Sequence, residues 1–183
     1  KKVIKVITGI RRCGKSTLLD LFEEYLLEQN IPKKNIMHMN MESLRYRNIL
    51  NYDTFYDFVS SNIIEREKNY LIFDELQTVT HWEKAIEFST LLSGRYVEIR
   101  LLPLSFKEFL TFYEFSSDVT MNEKFQKYLQ IGGMPILRQF DFNIARINEA
   151  LEGIYSTVIL RDVLERNKIS DQVLLNKMVM FLA

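Results

Sequence analysis

The feature that most constrains this chain is a glycine-containing turn near its start, set between an apolar segment and a helical pattern. Residues 3–9 read "VIKVITG", a short β-branched run that predicts a buried strand. Gly9 and Gly14 follow with four residues between them, and Lys15 and Ser16 come next. Apolar residues then recur at helical spacing and predict a helix directly after the turn. A strand, a turn of this spacing and a helix together predict a phosphate-binding loop.

Phosphate chemistry explains why these residue types occur at this spacing. Phosphate oxygens are negatively charged acceptors, so a ring of backbone N–H groups that leads into a helix N-terminus can bind them. Gly9 and Gly14 allow a close approach of the main chain that a Cβ atom would block. We expect Lys15 to reach the β- and γ-phosphates of a nucleotide and the Ser16 hydroxyl to ligate Mg²⁺.

Three residues inside the turn leave alternatives open. Arg11 and Arg12 stand where side chains need not point at the phosphates. Each can be solvated, or can pair with acidic residues of a lid or of a neighbouring subunit. Cys13 is the one cysteine of the chain, and its modification would block a nucleotide by bulk. A single cysteine forms no internal disulfide and fits a reducing compartment, so we expect a cytoplasmic protein.

A second motif contains the acids that a phosphate-binding loop requires. Residues 70–75 read "YLIFDE" and predict a buried strand that ends in Asp74 and Glu75. On a strand next to the P-loop strand, Asp74 would hold Mg²⁺ through water. Glu75 would orient and deprotonate the attacking water. Such a pair also fits the start of an ordinary turn after a core strand, but the loop upstream favours the catalytic interpretation.

The order of the predicted elements indicates an α/β fold. In the first half, strands alternate with helical patterns, which is typical of a parallel sheet with helices on both faces. No strand is evident after about Pro103. We therefore expect a P-loop NTPase core with a parallel sheet flanked by helices over residues 1–103, followed by an all-helical lid subdomain over residues 104–183.

Local signals in the second half predict where its helices begin and end. Ser105 and Glu108 form the pattern of a capping box at a helix start. The pair Gly132–Gly133 predicts the end of a shorter helix. Ser170 or Asp171 is expected to cap the last helix.

Composition narrows the classes of partner. Lys and Arg together number 24, as do Asp and Glu, so no global basic field would draw the chain to nucleic acid or membrane. No apolar run approaches the roughly 18 residues of a membrane helix. The chain begins at Lys1 and ends in "VMFLA", inside an apolar helical pattern, so we expect it to be part of a longer protein.

Five segments, in order, resemble a bacterial and archaeal group of AAA-superfamily ATPases. They are "TGIRRCGKSTLL", "LIFDELQTVTHWEKAI", "LLSGRYVEIRLLPLSFKEFL", "YLQIGGMP" and "YSTVILRDVLERN", and they cover nearly the whole chain. The resemblance implies a core sheet of the additional-strand P-loop type, a helical lid, and ATP or ADP with Mg²⁺ as ligands. It also implies a longer protein, in which a winged-helix-like segment and a domain similar to nuclease folds follow Ala183.

The resemblance assigns roles by position. The phosphate loop matches Gly9, Ile10, Arg11, Arg12, Cys13, Gly14, Lys15, Ser16 and Thr17. Asp74 and Glu75 match the Walker B pair, and Gln77 and Trp82 match the block that follows. Arg95 lies in the "SGRY" block, where an arginine could contact the γ-phosphate of its own chain or of a neighbour as an arginine finger. Arg95 could equally make structural contacts only.

Two further blocks match in the second half. Gly132, Gly133 and Pro135 match a Gly-x-Pro element that lies over the adenine or ribose in related switch ATPases, although a Gly-Gly pair is also an ordinary helix stop. Arg161 and Asp162 match the "RD" of the last block. We expect them to be structural, since adjacent residues on a helix do not face each other.

One element of the resembling group is absent from this sequence. There, a strand between the Walker B segment and "SGRY" separates the P-loop strand from the Walker B strand and ends in a polar sensor residue. Here "HWEKAI" runs directly into "EFSTLLSGRY". Without that strand the sheet would hold unpaired backbone groups in its core. We therefore expect that a segment, with its sensor residue, is missing near Ile86–Ser89.

Four functions are compatible with these residues. The leading hypothesis is an Mg²⁺-dependent ATPase in which Glu75, Lys15 and Arg95 act on ATP and hydrolysis moves a lid or a partner. The alternatives are a nucleotide-operated switch with incidental turnover, a P-loop kinase, and a nucleic-acid-handling protein that acts through domains not present here. Glu75 and the weakly basic segment 121–135 argue against a kinase. A homo-oligomer is also compatible with the sequence.

Overall fold

The computed structural model of the chain describes residues 4–82, 84, 96–158 and 171–182. The chain divides into two compact units. The first comprises Lys1–Thr8 and Lys15–Leu101, and the second comprises Gly9–Gly14 and Leu102–Ala183. Within the predicted phosphate loop, Gly9–Gly14 therefore belong to the second unit, whereas Lys15, Ser16 and Thr17 belong to the first.

Strands and helices follow one another along the described residues much as the sequence predicts. The strands are β1 (Ile4–Gly9), β2 (Ile36–Asn40), β3 (Tyr70–Asp74) and β4 (Tyr96–Leu101). The helices are α1 (Lys15–Glu28), α2 (Tyr52–Asn62), α3 (Phe106–Tyr113), α4 (Met121–Ile131), α5 (Ile144–Thr157) and α6 (Gln172–Leu182). Short 3₁₀ helices cover Lys33–Asn35, Leu44–Ile49, Leu76–Thr78 and Pro135–Phe140.

The described strands form two separate pairs. β2 and β3 are parallel, with Ile36 opposite Tyr70 and Asn40 opposite Asp74. β1 pairs with β4, and the Thr8 hydroxyl donates a hydrogen bond to the Glu98 carboxylate at 2.8 Å. The α/β class and the parallel pairing are thus confirmed, but β3 is not hydrogen-bonded to β1 within the described ranges. A strand between β1 and β3 would join the two pairs into one sheet.

The β2–β3 pair lies between two helical layers. On one face, Ile36 and Ile72 form a buried cluster with Leu26 of α1. On the other face, Met39 packs with Phe55 of α2. Because successive side chains of a strand point to opposite faces, each strand supplies apolar residues to both layers. This arrangement explains why both strands read as nearly continuous apolar runs.

The second unit is helical along its described part, and its core lies where α3, α4, α5 and the last 3₁₀ helix meet. Its buried residues are Phe109, Ile131, Leu137 and Ile147. The capping box predicted from Ser105 and Glu108 is present at the start of α3. A second box, formed by Thr120 and Glu123 at the start of α4, has the same sequence pattern and was not predicted.

The last helix is capped by Asp171. Its carboxylate accepts a hydrogen bond from the Leu174 N–H at 2.8 Å. Asp171 was one of the two residues predicted for this position, and the other, Ser170, lies outside the described residues.

The predicted helix stop at Gly132–Gly133 is confirmed. The Gly132 N–H donates to the Tyr128 carbonyl at 2.8 Å and ends α4. Gly133 lies against the backbone of Leu104: the Leu104 N–H donates to the Gly133 carbonyl at 2.7 Å. A Cβ atom on Gly133 would stand 2.1 Å from the Leu104 carbonyl oxygen. The close approach of two main-chain segments thus accounts for a glycine at this position.

None of the helices in the described ranges combines the length and the apolar character that crossing a lipid bilayer requires.

Replacing Gly133 by alanine should destabilise the helical unit by about 2 kcal/mol or more, because the added methyl group overlaps main-chain atoms that cannot move independently. The matched control is Gly153→Ala in α5, where an added Cβ meets nothing within 4 Å. That substitution should stabilise the chain by up to about 1 kcal/mol. Urea unfolding followed by circular dichroism measures both, and equal effects of the two would contradict the packing argument.

The two capping boxes should make stability depend on pH in the acidic range. The hydrogen bonds from the Ser105 side chain and backbone lower the pKa of Glu108 below its ordinary value of 4.5. Those from the Thr120 side chain and backbone lower the pKa of Glu123 in the same way. Stabilisation by a carboxylate of lowered pKa is complete above the unfolded value and is lost as the pH falls through the folded value.

We therefore expect a double variant, Glu108→Gln with Glu123→Gln, to be less stable than the wild type at pH 7 and closer to it at pH 3. Thermal unfolding midpoints measured from pH 7 to pH 3 test this. A difference between the two proteins that stays constant across that range would show that the boxes contribute no ionic stabilisation.

Candidate functional site

Residues of the predicted phosphate loop form a tight turn within the second unit. The Cys13 N–H donates to the Ile10 carbonyl at 3.4 Å, and Cys13 is buried. Arg12 and Gly14 have φ values of 68° and 97°. The second value lies where a residue without a Cβ atom is strongly favoured, as expected of this loop. Arg12 is exposed and Arg11 is half-buried.

The loop leads directly into α1, whose first turn carries the remaining predicted residues. Lys15 is half-buried, whereas Ser16 and Thr17 are exposed. The first N–H groups of a helix have no partner within the helix and form the positive end of its dipole. No acidic residue of this turn offsets that partial charge, so the turn favours an anion.

Contacts with the strands determine the direction of α1. Near the end of the helix, Leu26 packs with Ile36 at the start of β2. One turn earlier, the Glu23 carboxylate lies 2.6 Å from Nδ1 of His38, two residues further along β2. The helix therefore runs antiparallel to β2 and β3, and its N-terminus lies towards the carboxyl ends of both strands.

The same contacts allow the position of Ser16 along the strand direction to be estimated relative to the ends of β2 and β3. From Glu23 back to Ser16 a helix advances about 10 Å. From His38 to Asn40 a strand advances about 7 Å. Along the strand direction, Ser16 is thus expected about 3 Å beyond the residues that end β2 and β3.

Asp74 ends β3 on the face of the strand pair that packs against α1. It follows Ile72 by two residues and is only 6% exposed. One carboxylate oxygen accepts the Glu75 N–H at 3.1 Å, and the other accepts the side-chain amide of Asn40 at 3.4 Å. The Met41 N–H donates to the Asp74 carbonyl at 3.0 Å. Because a carboxylate has about four lone-pair positions, Asp74 can still bind a cation while it keeps both bonds.

Asn40 contacts the proposed metal ligand Asp74 and is a candidate site residue that was not predicted from the sequence. It ends the second strand directly opposite Asp74, and its side-chain oxygen also accepts the Glu42 N–H at 2.9 Å. A polar residue that directly follows the alternating apolar residues of "IMHMN" was the available signal. Its meaning depended on knowing that β2 pairs with β3.

Glu75 adopts a left-handed backbone conformation, with φ 53° and ψ 37°. Its N–H bonds to Asp74, and its carbonyl accepts both the N–H and the hydroxyl of Thr78, at 3.0 and 2.9 Å. Its side-chain carboxylate accepts a hydrogen bond from the side-chain amide of Gln77. A non-glycine residue other than asparagine or aspartate adopts this conformation at a cost of about 1 kcal/mol or more.

Other predicted residues are placed elsewhere or lie outside the described residues. Gly133 contacts Leu104, and Pro135 begins a 3₁₀ helix. Their contact with a nucleotide stays a prediction. Trp82 packs against the buried cluster on the α2 face of the strand pair. The remaining predicted positions, all outside the described residues, are Ile86–Ser89, Arg95, Arg161 and Asp162.

The donor set fits a magnesium-bound nucleotide. Asp74 offers one carboxylate and Ser16 one hydroxyl, and Mg²⁺ commonly combines one or two carboxylates with phosphate oxygens and several waters. In the part of the chain that the structure describes, no three His, Cys, Asp or Glu residues are grouped closely enough to form a metal cage. A site of the predicted kind needs no such cage.

Comparison with known proteins supports a P-loop protein of the AAA type. Residues 1–90 match the profile of a family described as an AAA domain. An uncharacterized protein of Haemophilus influenzae is 34% identical over 205 residues, which include 98% of this chain and 51% of that protein. An uncharacterized protein of Methanocaldococcus jannaschii is 29% identical over 202 residues, with 91% of this chain and 43% of that protein covered. These matches support an AAA-type P-loop fold.

The lengths of these alignments carry further information. The chain spans about half the length of the curated relatives that it matches. Both alignments are also longer than the 183 residues of the chain itself. Each relative therefore has residues, within the aligned region, at positions where this chain has none. A missing strand near Ile86–Ser89 would produce such a difference, and it stays a prediction.

The backbone of Glu75 provides a test of local strain. Glu75→Asn should be more stable than Glu75→Ala by about 1 kcal/mol, because asparagine tolerates the left-handed conformation and alanine does not. Both variants lose the contact with Gln77, so their difference reports the backbone alone. At Glu152, an exposed position inside α5, the order should reverse, because alanine is the better helix former. Chemical denaturation of the four variants measures both differences, and the same order at both positions would contradict the assigned strain.

Proposed function

We propose that the chain is a Mg²⁺-dependent ATPase that hydrolyses ATP through its P-loop and its Walker B acids. The observation that carries this proposal is the shared location of two elements in the first unit. α1 runs antiparallel to β2 and β3, so its first turn and the pair Asp74–Glu75 lie at the same end of that unit. An anion-attracting helix start beside a buried carboxylate is the arrangement that a metal-bound phosphate chain requires.

Each residue has a distinct role in the proposed reaction. The backbone N–H groups of the loop and the first turn of α1 bind the phosphates, and Lys15 reaches the β- and γ-phosphates. The Ser16 hydroxyl and the Asp74 carboxylate would hold Mg²⁺, which supplies positive charge to the transferring phosphoryl group. Asn40 keeps Asp74 oriented by donating to one of its carboxylate oxygens.

Glu75 is the proposed base. Gln77 occupies one of its carboxylate oxygens, and the other can accept a proton from the attacking water. A residue at the end of a strand, held in one backbone conformation by its neighbours, is suited to orient a water molecule.

Further roles are proposed for residues whose contact with the nucleotide does not follow from the position of α1 and β3. We include Arg95 as an arginine finger, Gly133 and Pro135 as nucleotide contacts, and the helical unit as a lid whose position follows the nucleotide state. In the full protein, we propose that this movement acts on a neighbouring subunit of a homo-oligomer or on nucleic acid bound by further domains.

The decisive experiment measures ATP binding and hydrolysis by the wild type, Lys15→Ala and Glu75→Gln, with and without DNA. Lys15→Ala should abolish binding, because it removes the positive side chain that reaches the phosphates. Glu75→Gln should bind ATP as tightly as the wild type and lose at least about 100-fold in turnover, since the base is removed and the loop is not. Binding is measured with a fluorescent ATP analogue, and turnover by phosphate release.

Two exposed residues of the helical unit provide matched controls. Lys107→Ala in α3 and Glu152→Gln in α5 should change neither binding nor turnover. Turnover that survives Glu75→Gln would remove the assignment of the base. Slow hydrolysis with tight retention of ADP would instead identify a nucleotide-operated switch, and acceleration by DNA would identify a nucleic-acid-handling protein.

A further inference from the structure

We propose that Gln77 is a positioning residue for Glu75, whose carboxylate it holds in the orientation needed to activate water. This inference rests on the proposed function, in which Glu75 is the base. Gln77 lies outside the phosphate-binding loop. The carboxylate of the proposed metal ligand Asp74 accepts its hydrogen bonds from the Glu75 N–H and the Asn40 side chain.

The contact joins two side chains within one short turn. Gln77 lies in the 3₁₀ helix Leu76–Thr78, directly after Glu75, and its amide nitrogen donates to Oε2 of Glu75. Gln77 is exposed and Glu75 is half-buried. The contact therefore forms at the surface of the unit, where water can reach the second carboxylate oxygen.

Hydrogen bonds other than the one from Gln77 already hold the main chain of Glu75 in place. Asp74 binds its N–H, and Thr78 binds its carbonyl twice. What remains free is the side chain, which has several rotatable bonds and would otherwise sample many rotamers. A further hydrogen bond at the carboxylate thus favours one orientation of the side chain over the others.

The chemistry of the donor suits this task. A primary amide is neutral, so it orients the carboxylate without removing the negative charge that a base needs. A lysine or arginine at the same position would form an ion pair with Glu75 and compete with the proton of the attacking water for the carboxylate. Glutamine therefore provides orientation with little loss of basicity.

The catalytic consequence is tested with Gln77→Leu, which keeps the size of the side chain and removes the donor. We expect kcat for ATP hydrolysis to fall roughly ten- to hundredfold, because the base is no longer held towards the water. KM for ATP should stay within about twofold of the wild type, since ground-state binding is untouched. Gln126→Leu, at an exposed position of α4, is the control and should match the wild type.

A double variant distinguishes positioning from a general structural effect. In a Glu75→Gln background, Gln77→Leu should cause no further loss of kcat, because residues that act as a unit are not additive. A general structural role would instead raise KM or reduce the residual rate of Glu75→Gln. Unchanged kcat in Gln77→Leu, while Glu75→Gln is inactive, would overturn the role of Gln77 and leave the ATPase proposal intact. Full turnover by Glu75→Gln would overturn both.

The contact itself is measured without turnover. Urea unfolding midpoints of Glu75→Ala, Gln77→Ala and the double variant form a cycle that isolates the interaction of the two side chains. We expect the double variant to be less destabilised than the sum of the two single variants. Strictly additive midpoints would show that the side chains do not interact in solution and would overturn the inference even if the chain hydrolyses no ATP.

Discussion

The parallel pairing of β2 with β3 is the constraint on which the rest of the first unit depends. Its register sets Asn40 opposite Asp74 and assigns alternate side chains to the α1 face and the α2 face. A slip of one residue would send the apolar side chains of a strand to the wrong layer and would turn Asp74 away from α1. Burial of the Asp74 carboxylate is tolerated because Asn40 and the Glu75 N–H donate to it. Packing and the proposed chemistry therefore depend on the same pairing.

Strain at the end of β3 has a related origin. A chain that leaves a buried strand must turn, and here it turns through Glu75 in a conformation that glycine or asparagine would adopt at lower cost. Asp74 and Thr78 hold that turn from both sides. Glutamate is thus not the residue that this backbone conformation favours, and the proposed role of its carboxylate as a base would account for its presence.

Much of the local structure could be predicted, since it depends on residues close in sequence. The capping box of Ser105 and Glu108 is a pattern of four residues, and both of its hydrogen bonds form. The helix stop at Gly132 is of the same kind. The box of Thr120 and Glu123 shows that an equally local pattern was present and overlooked. By contrast, the contact between Gly133 and Leu104 joins residues distant in the chain, and no local pattern indicates it.

The sequence by itself determined the spacing of Gly9 to Ser16, the acidic pair at the end of the strand predicted at residues 70–75, and a few helix ends: the start of α1, the start of α3, the end of α4 and the cap of α6. Each of these depends on backbone hydrogen bonds or side-chain spacing within a few residues. Only the tertiary structure decided that β2 pairs with β3 and β1 with β4, that Asn40 supports Asp74, and that α1 begins at the carboxyl ends of the paired strands. The physical reason is that strand pairing and layer packing are chosen by the burial of whole faces, and residues far apart along the chain contribute to each face.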